Sequence, residues 1–132
     1  MRVKRIGYIG TRTSDVEGMT SFLRDVLGLE ASGADDSVTF QRLPTNRLDM
    51  VEVYATDHHD PRMIPDDADF VVGFAVDDLD AAMADVRAAG LPIIAGPVRA
   101  AEAFDEPGFG DFSWFWVRAP DGRTYVIQQV PD

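Results

Sequence analysis

Few side chains in this sequence are suited to acid–base chemistry, and one of them lies in a strongly alternating stretch. The run MVEVYA predicts a strand with Met50, Glu52 and Tyr54 on one face. A carboxylate on such a face, among apolar side chains, has a raised pKa and can act as a general base. The alternative is that Glu52 lies at the rim or pairs with a neighbouring arginine such as Arg42 or Arg47.

The two histidines, His58 and His59, are adjacent in the segment TDHHDPRMIPDDAD (56–69). This segment is polar, contains two prolines and shows no periodicity, which is typical of a connecting segment. Neighbouring imidazoles in a loop rarely converge on one metal ion unless further ligands are fixed around them. We therefore interpret the segment as a solvated linker and not as a metal site.

An aromatic cluster follows in the stretch FDEPGFGDFSWFWV. Alternation predicts a strand with Phe112, Trp114 and Trp116 on one face and Phe115 on the other. One interpretation is that one face is core and the other covers a partner chain. The other is that the tryptophans form an aromatic wall for a planar or cationic ligand. The preceding loop, 104–111, is longer than a hairpin requires, and such loops often serve as lids.

Composition limits the classes of partner. The chain has 132 residues, of which 45% are hydrophobic, so it is long enough for one compact globular domain. Its 23 acidic and 12 basic residues give a net charge of −11, which repels nucleic acid and anionic lipid and attracts cations. No apolar run could span a membrane, no signal peptide is recognisable and there is no cysteine. We expect a cytoplasmic protein without nucleic-acid or membrane partners.

The elements that position these residues occur twice. The stretches YIGTRTSDVE (8–17) and VVGFAVDDLD (71–80) align with an offset of 63 residues. Each leads into a predicted amphipathic helix that ends at a glycine. Ser14 with Glu17 forms a predicted capping box, and Asp77 is the predicted cap of the second helix. The predicted apolar stripes are Val16, Met19, Leu23, Val26 and Leu27 in the first helix and Leu79, Ala82, Met83 and Val86 in the second.

Three predicted strands follow each helix, so each half has the order βαβββ. The predicted strands are 29–32, 36–42 and 47–55 in the first half and 92–95, 112–118 and 123–130 in the second. The predicted fold is α+β, with two βαβββ modules forming a cupped mixed β-sheet that carries its helices outside and encloses a cavity. The predicted single domain comprises module 1 (about 1–56), a linker (about 57–69) and module 2 (about 70–132).

This pattern resembles the vicinal oxygen chelate superfamily, which includes glyoxalase I, extradiol dioxygenases, fosfomycin-resistance enzymes and the bleomycin-resistance proteins. No single motif is specific, but their order and the internal repeat together support the resemblance over nearly the whole chain. The stretches that carry it are RIGYIGTRTSDVEGMTSFLRDVLGLE (5–30), VVGFAVDDLDAAMADVRAAGLP (71–92) and APDGRT (119–124).

The resemblance implies metal ligands on the first and last strands of each half. Those positions are Tyr8, Met50, Val71 and Val126. None is a histidine or a carboxylate, which divalent ions prefer. A two-residue slip of the last strands keeps the same face and brings in only Glu52 and Gln128. We therefore expect no metal and no other cofactor.

Two classes of function follow, beside the third possibility of a partner domain that binds no ligand. The first is a metal-independent small-molecule-binding protein that resembles bleomycin-resistance proteins, takes an organic, partly aromatic or cationic ligand and, by analogy, forms a homodimer. The second is an enzyme, either a glyoxalase I-like lyase or dioxygenase, or a metal-free isomerase or cyclase that uses Tyr8 and Glu52. The candidate ligand-binding residues are Tyr8, Met50, Glu52, Tyr54, Val71, Trp114, Trp116, Val126 and Gln128.

Overall fold

A computed structural model of the chain divides into two compact units. The first unit comprises Gly7–Val71, and the second comprises Met1–Ile6 together with Val72–Asp132. None of the helices in the described part of the chain is long and apolar enough to cross a membrane. The structure describes residues 1–32, 37–41, 50–60, 62–105 and 111–130.

The secondary structure follows the predicted order in each half. Strand β1 (Val3–Thr13) begins in the second unit and continues into the first, whereas β5 (Phe70–Val76) runs the other way. The first unit contains α1 (Val16–Ser21), a π-helical segment (Phe22–Val26), β2 (Glu30–Ser32), β3 (Ser37–Gln41) and β4 (Met50–Ala55). The second contains α2 (Leu79–Ala88), β6 (Ile93–Arg99), α3 (Ala100–Ala103), β7 (Ser113–Arg118) and β8 (Thr124–Gln129).

The two units share one strand topology. In the first, the strand order is β2-β3-β4-β1, and only the β4–β1 pair is parallel. In the second, the order is β5-β8-β7-β6, and only the β5–β8 pair is parallel. These orders confirm the α+β class and the repeated βαβββ module. Helix α3 was not predicted from the sequence.

Each helix covers one face of its own sheet. In the first unit Leu23 and Val53 are buried against each other, with Val16, Met19, Leu29 and Val51 packed around them. The second unit has the larger core, because all four residues of the predicted α2 stripe are buried. The residues of that core are Val76, Leu79, Ala82, Met83, Val86, Phe115, Val117 and Ile127.

The helix caps lie one residue beyond the predicted positions. Asp15 accepts a hydrogen bond from the Gly18 amide, so the predicted capping box at Ser14 is wrong. Asp78 likewise accepts from Ala81, whereas Asp77 forms an ion pair with Lys4 at the surface. Ser and Asp are both good N-caps, so a run of them marks the helix start only to within a residue.

The first helix differs from the second in its last turn. The Leu27 amide donates to the carbonyl of Phe22, which is the five-residue spacing of a π-turn. The predicted stripe fails at this turn, because Val26 is 71% exposed and Leu27 is 55% exposed. A π-turn holds more residues than an α-turn, so the side chains after it are rotated away from the direction that a 3.6-residue period predicts.

Candidate functional site

The face of β4 away from the helix carries the candidate polar residues of the first unit. Val51 and Val53 pack towards the helix. Since strand side chains alternate, Met50, Glu52 and Tyr54 occupy the opposite face, as their spacing predicts. On the neighbouring strand Tyr8 pairs in register with Met50, which places β1 and β4 side chains next to each other.

Tyr8, Tyr54 and Glu52 form one hydrogen-bonded chain. The Tyr54 hydroxyl donates a short hydrogen bond to Glu52 Oε2. The Tyr8 hydroxyl oxygen lies 3.2 Å from that of Tyr54. Tyr8 is 5% exposed and Tyr54 is 1% exposed, whereas Glu52 is half-buried. The arrangement therefore places a carboxylate at one end of two buried phenols.

Gly10 provides the space in which the Tyr8 side chain lies. Gly10 is two residues beyond Tyr8 on β1, so both face the same side of the strand. A Cβ atom at Gly10 would come within 2.5 Å of the Tyr8 hydroxyl oxygen and 2.9 Å of its Cε1. The Tyr8 ring therefore lies back over the glycine, and any larger residue there would displace it.

Burial changes the pKa of each member of this chain. It raises the pKa of Glu52, although the Tyr54 hydrogen bond and the nearby His58 oppose this shift. Burial and then the charge of Glu52 raise the pKa of Tyr8 well above its usual value, against a smaller lowering by Tyr54. Burial likewise raises the pKa of Tyr54, and Tyr8 and Glu52 add to it. With their pKa values raised, both phenols are protonated near neutral pH.

Arg12 organises the segment that follows β4. Its Nη1 donates to the carbonyl oxygen of His58 at 2.7 Å and to that of Ala55 at 3.3 Å. Its other guanidinium nitrogens donate to the carbonyl oxygens of Ile64, Pro65 and Ala68. This residue was not among those predicted from the sequence, although it follows Tyr8 and Gly10 at alternate positions on β1.

The prediction that 56–69 is a solvated linker is wrong for its central residues. His58 and Ile64 are 7% and 0% exposed, and the His58 ring lies 4.8 Å from that of Tyr54. His59 is exposed and contacts Asp66 at 3.1 Å. The composition of the segment suggested solvent exposure, but its backbone oxygens are satisfied by Arg12 and its apolar residues are therefore free to be buried.

In the second unit, the tryptophans of β7 lie on the face of the strand that points away from helix α2. Phe115 and Val117 pack against α2, so Trp114 and Trp116 occupy the opposite face. Across the β7–β8 pair, Trp114 lies opposite Gln128 and Trp116 lies opposite Val126. All four of these candidate residues are buried, as is the candidate Val71 of the first unit.

The tryptophan face has both aromatic and polar groups. The Trp114 ring lies 5.3 Å from that of Phe112 and 6.4 Å from that of Phe104, measured between centroids. Gln128 is 3% exposed, and its Oε1 accepts no hydrogen bond in the part of the chain that the structure describes. Of the loop predicted as a lid, residues 106–110 lie outside the described residues, as do Arg42 and Arg47, the predicted partners of Glu52.

The strand register corrects the predicted positions of the inherited metal site. Gly10 pairs with Glu52, and its repeat equivalent Gly73 pairs with Val126. Glu52, not Met50, therefore corresponds to Val126, which is the two-residue slip considered from the sequence.

The corrected donor set does not fit a divalent ion. It consists of Tyr8, Glu52, Val71 and Val126, of which one is a carboxylate and two are valines. Burial and the charge of Glu52 raise the pKa of Tyr8, so its phenolate form is disfavoured. Among the residues that the structure describes, no three His, Asp or Glu side chains are grouped as metal ligands.

The chain belongs to the Glyoxalase/Bleomycin resistance protein/Dioxygenase superfamily, whose family model matches residues 5–104. This result confirms the resemblance stated from the sequence. No protein of curated function matches the chain significantly.

Solved structures agree with this assignment. The Mn(II)-bound glyoxalase from Novosphingobium aromaticivorans has a TM-score of 0.72 and 25% identity, over 97% of this chain and 39% of the other. A catechol 2,3-dioxygenase has a TM-score of 0.68 and 18% identity, over 100% of this chain and 43% of the other. This chain thus spans about two-fifths of the length of these two proteins.

A third similar structure has nearly the length of this chain. It is a methylmalonyl-CoA epimerase from Mycobacterium tuberculosis, with a TM-score of 0.66 and 14% identity, over 98% of this chain and 90% of the other. At these identities the epimerase and the dioxygenase show the fold alone, and the activities in their names are theirs.

Proposed function

We propose that this chain binds a small organic molecule without a divalent metal ion, using the β1–β4 face that carries Tyr8, Glu52 and Tyr54. The observation that supports the proposal is the state of the Glu52 carboxylate. It is the single carboxylate among the four inherited ligand positions, and it accepts a hydrogen bond from Tyr54. A carboxylate held in this way can hydrogen-bond the polar group of an organic ligand. A divalent metal ion would need further anionic or imidazole ligands.

The expected ligand is partly aromatic or cationic. A half-buried carboxylate next to tyrosine rings attracts an organic cation both by charge and through the ring faces. The net charge of −11 acts in the same direction at longer range. In the second unit, the Trp114 face has a buried amide oxygen on Gln128, which suits the same class of amphipathic molecule. We also propose a cytoplasmic homodimer, which light scattering of the purified protein tests for its oligomeric state.

Metal analysis and ligand binding test this proposal together. Protein purified without added metal should contain no stoichiometric divalent ion, and EDTA or Mn²⁺ should not change its melting temperature. A panel of aromatic amines should raise the melting temperature of the wild type but not that of Glu52→Gln. Glu30→Gln, which changes an exposed carboxylate on β2, is the matched control and should behave like the wild type. A stoichiometric metal that is lost in Glu52→Gln would contradict the proposal.

A second candidate function is metal-free acid–base catalysis, as in an isomerase or cyclase. The observation that favours it is a carboxyl group whose pKa burial raises, hydrogen-bonded through Tyr54 to Tyr8. Such a carboxylate can remove a proton next to a carbonyl group, and a phenol can hydrogen-bond the developing oxyanion. Exchange of substrate carbon-bound hydrogen for deuterium in heavy water, absent in Glu52→Gln, would support catalysis; binding without exchange across a panel of ketones would argue for the binding protein.

A further inference from the structure

The hydrogen bonds of Tyr8, Tyr54 and Glu52 have a direction. A phenol hydroxyl has one proton to donate. Tyr54 gives its proton to Glu52 Oε2, so it can only accept from Tyr8, 3.2 Å away. With Glu52 ionised, the order of donation is therefore Tyr8 to Tyr54 to Glu52, and both hydroxyl protons are committed.

A proton on Glu52 permits the opposite order. The neutral carboxyl group has an O–H of its own and can donate to the Tyr54 oxygen. Tyr54 can then donate to Tyr8, and the Tyr8 proton is no longer donated to Tyr54. One proton added at Glu52 thus changes what the Tyr8 oxygen offers, although no heavy atom has to move.

We propose that Tyr8, Tyr54 and Glu52 form a directional relay through which the charge state of Glu52 selects the hydrogen-bonding group of the ligand. With Glu52 ionised, Tyr8 acts as an acceptor, and the site takes a hydrogen-bond donor such as an ammonium or hydroxyl group. A ligand that has only acceptors, such as a ketone, binds with uptake of one proton from solvent. This inference rests on the proposed function, since it assumes that the ligand contacts this face.

Other titratable groups near Glu52 must be separated from the relay. Strand β1 contributes Tyr8 and Arg12, β4 contributes Tyr54, and the segment after β4 contributes His58. The Arg12 guanidinium is directed to backbone carbonyls, which fixes its position. Among the described residues His58 is the neighbour whose charge lowers the pKa of Glu52, so its contribution is tested separately.

Nuclear magnetic resonance of the ligand-free chain tests the relay directly. The sequence has three tyrosines, so labelling with 13Cζ-tyrosine reports Tyr8, Tyr54 and Tyr125 separately. Tyr125 stacks on Phe74 in the second unit and serves as the internal reference. Tyr8 and Tyr54 should shift together as the 13Cδ-labelled Glu52 carboxyl titrates, and both shifts should disappear in Glu52→Gln.

Two variants test whether the effect of Glu52 titration on the Tyr8 chemical shift passes through Tyr54. In Tyr54→Phe the Glu52 carboxyl should still titrate, but the Tyr8 shift should shrink to the small part that the charge of Glu52 causes directly. In Gly10→Ala the added Cβ displaces the Tyr8 ring, so Tyr54 should follow Glu52 while Tyr8 does not. A Tyr8 shift that persists at full size in Tyr54→Phe would overturn the relay. So would tyrosine shifts that survive in Glu52→Gln and vanish in His58→Gln.

Two probes of one carbon skeleton test the ligand group. Protonated 1-phenylethylamine has only donors at its polar end, and acetophenone has only an acceptor. Calorimetry in buffers of different ionisation enthalpy, at a pH where Glu52 is ionised, counts the protons exchanged. The amine should bind without proton uptake, and acetophenone should bind with uptake of a proton and about tenfold more weakly.

The two proposals fail in different ways. Equal affinities without proton exchange would overturn the relay and leave the proposed binding function standing. If neither probe binds, the proposed function fails for this class of compound. The chemical shifts of Tyr8 and Tyr54 in the ligand-free chain then test the relay independently.

Discussion

The Arg12 guanidinium lies 2.7 Å from the backbone oxygen of His58, and this contact joins β1 to the segment after β4. It brings the His58 ring against Tyr54, two residues from Glu52. Arg12 thus holds the segment whose His58 ring contacts Tyr54, although Arg12 is not itself hydrogen-bonded to Tyr8, Tyr54 or Glu52 in any contact described above. Arg12 acts by holding backbone oxygens, not by pairing with a carboxylate.

Replacing Arg12 by lysine should destabilise the chain. A lysine ammonium is a compact donor and cannot reach five carbonyl oxygens that a planar guanidinium holds at once. Loss of bonds to buried acceptors should lower the free energy of unfolding by about 1–3 kcal/mol, measured by urea denaturation. Arg62→Lys, at an exposed arginine that pairs with Asp60, is the matched control. Equal effects of the two variants would show that the Arg12 contacts carry little energy.

Glu52→Gln should change how stability depends on pH. Burial raises the pKa of Glu52 in the folded chain above its unfolded value. Between these two values the folded chain holds more protons than the unfolded chain, so stability falls as pH rises through the window. Glutamine does not titrate, so its stability relative to the wild type should increase over this window and then stay constant. Urea denaturation of both proteins at a series of pH values would measure this change in relative stability. A stability difference between Glu52→Gln and the wild type that does not vary with pH would contradict the prediction.

Tyr8 and Tyr54 should make the fold sensitive to alkali. Their pKa values are raised in the folded chain, so the unfolded chain loses these phenol protons first. Stability should therefore fall as pH rises above about 10, the pKa of an unperturbed tyrosine. Tyr54→Phe and Tyr8→Phe should each show a shallower fall, measured as melting temperature against pH. Slopes unchanged from the wild type in both variants would argue against buried phenols.

The observed helix caps can be distinguished from the predicted ones by alanine substitution. Asp15→Ala and Asp78→Ala each remove an acceptor for a helix amide and should cost about 1 kcal/mol of stability. Ser14→Ala should have a smaller effect, because in this structure Asp15 and not Ser14 caps the helix. Asp77→Ala loses only a surface ion pair with Lys4 and should also cost less. Thermal denaturation of the four variants decides between the two sets, and equal losses at all four positions would contradict the assignment.

Much of the fold could be predicted because the two halves of the sequence repeat the same pattern of elements. The 63-residue repeat gives the order of elements, and the alternation of MVEVYA gives the common face of Glu52 and Tyr54. The register was harder to predict, because a two-residue slip keeps every side chain on its own face. For that reason Met50 was placed where the hydrogen-bonded ladder has Glu52.

The role of the segment after β4 could not be predicted from composition. Its residues are polar enough for a solvated loop, and its burial depends on Arg12, which lies more than 40 residues earlier in the chain. Side-chain contacts to backbone oxygens at this separation leave no periodic pattern in a sequence. The repeat also gives no indication of them, since position 75, 63 residues after Arg12, is an alanine.

The π-helical segment of the first unit explains a break in the repeat. The 63-residue offset holds from Gly10 to Leu23 but falls to 62 at Gly28, which matches Gly90. Both glycines have a φ of 74°. The bond from Leu29 to Leu23 spans six residues, whereas its counterpart from Leu91 to Val86 spans five. The first unit thus has one more residue between these two points than the second, and a single wider turn accommodates it without moving the glycine that follows. Deleting one residue between Leu23 and Gly28 should therefore give an ordinary helix end like that of α2.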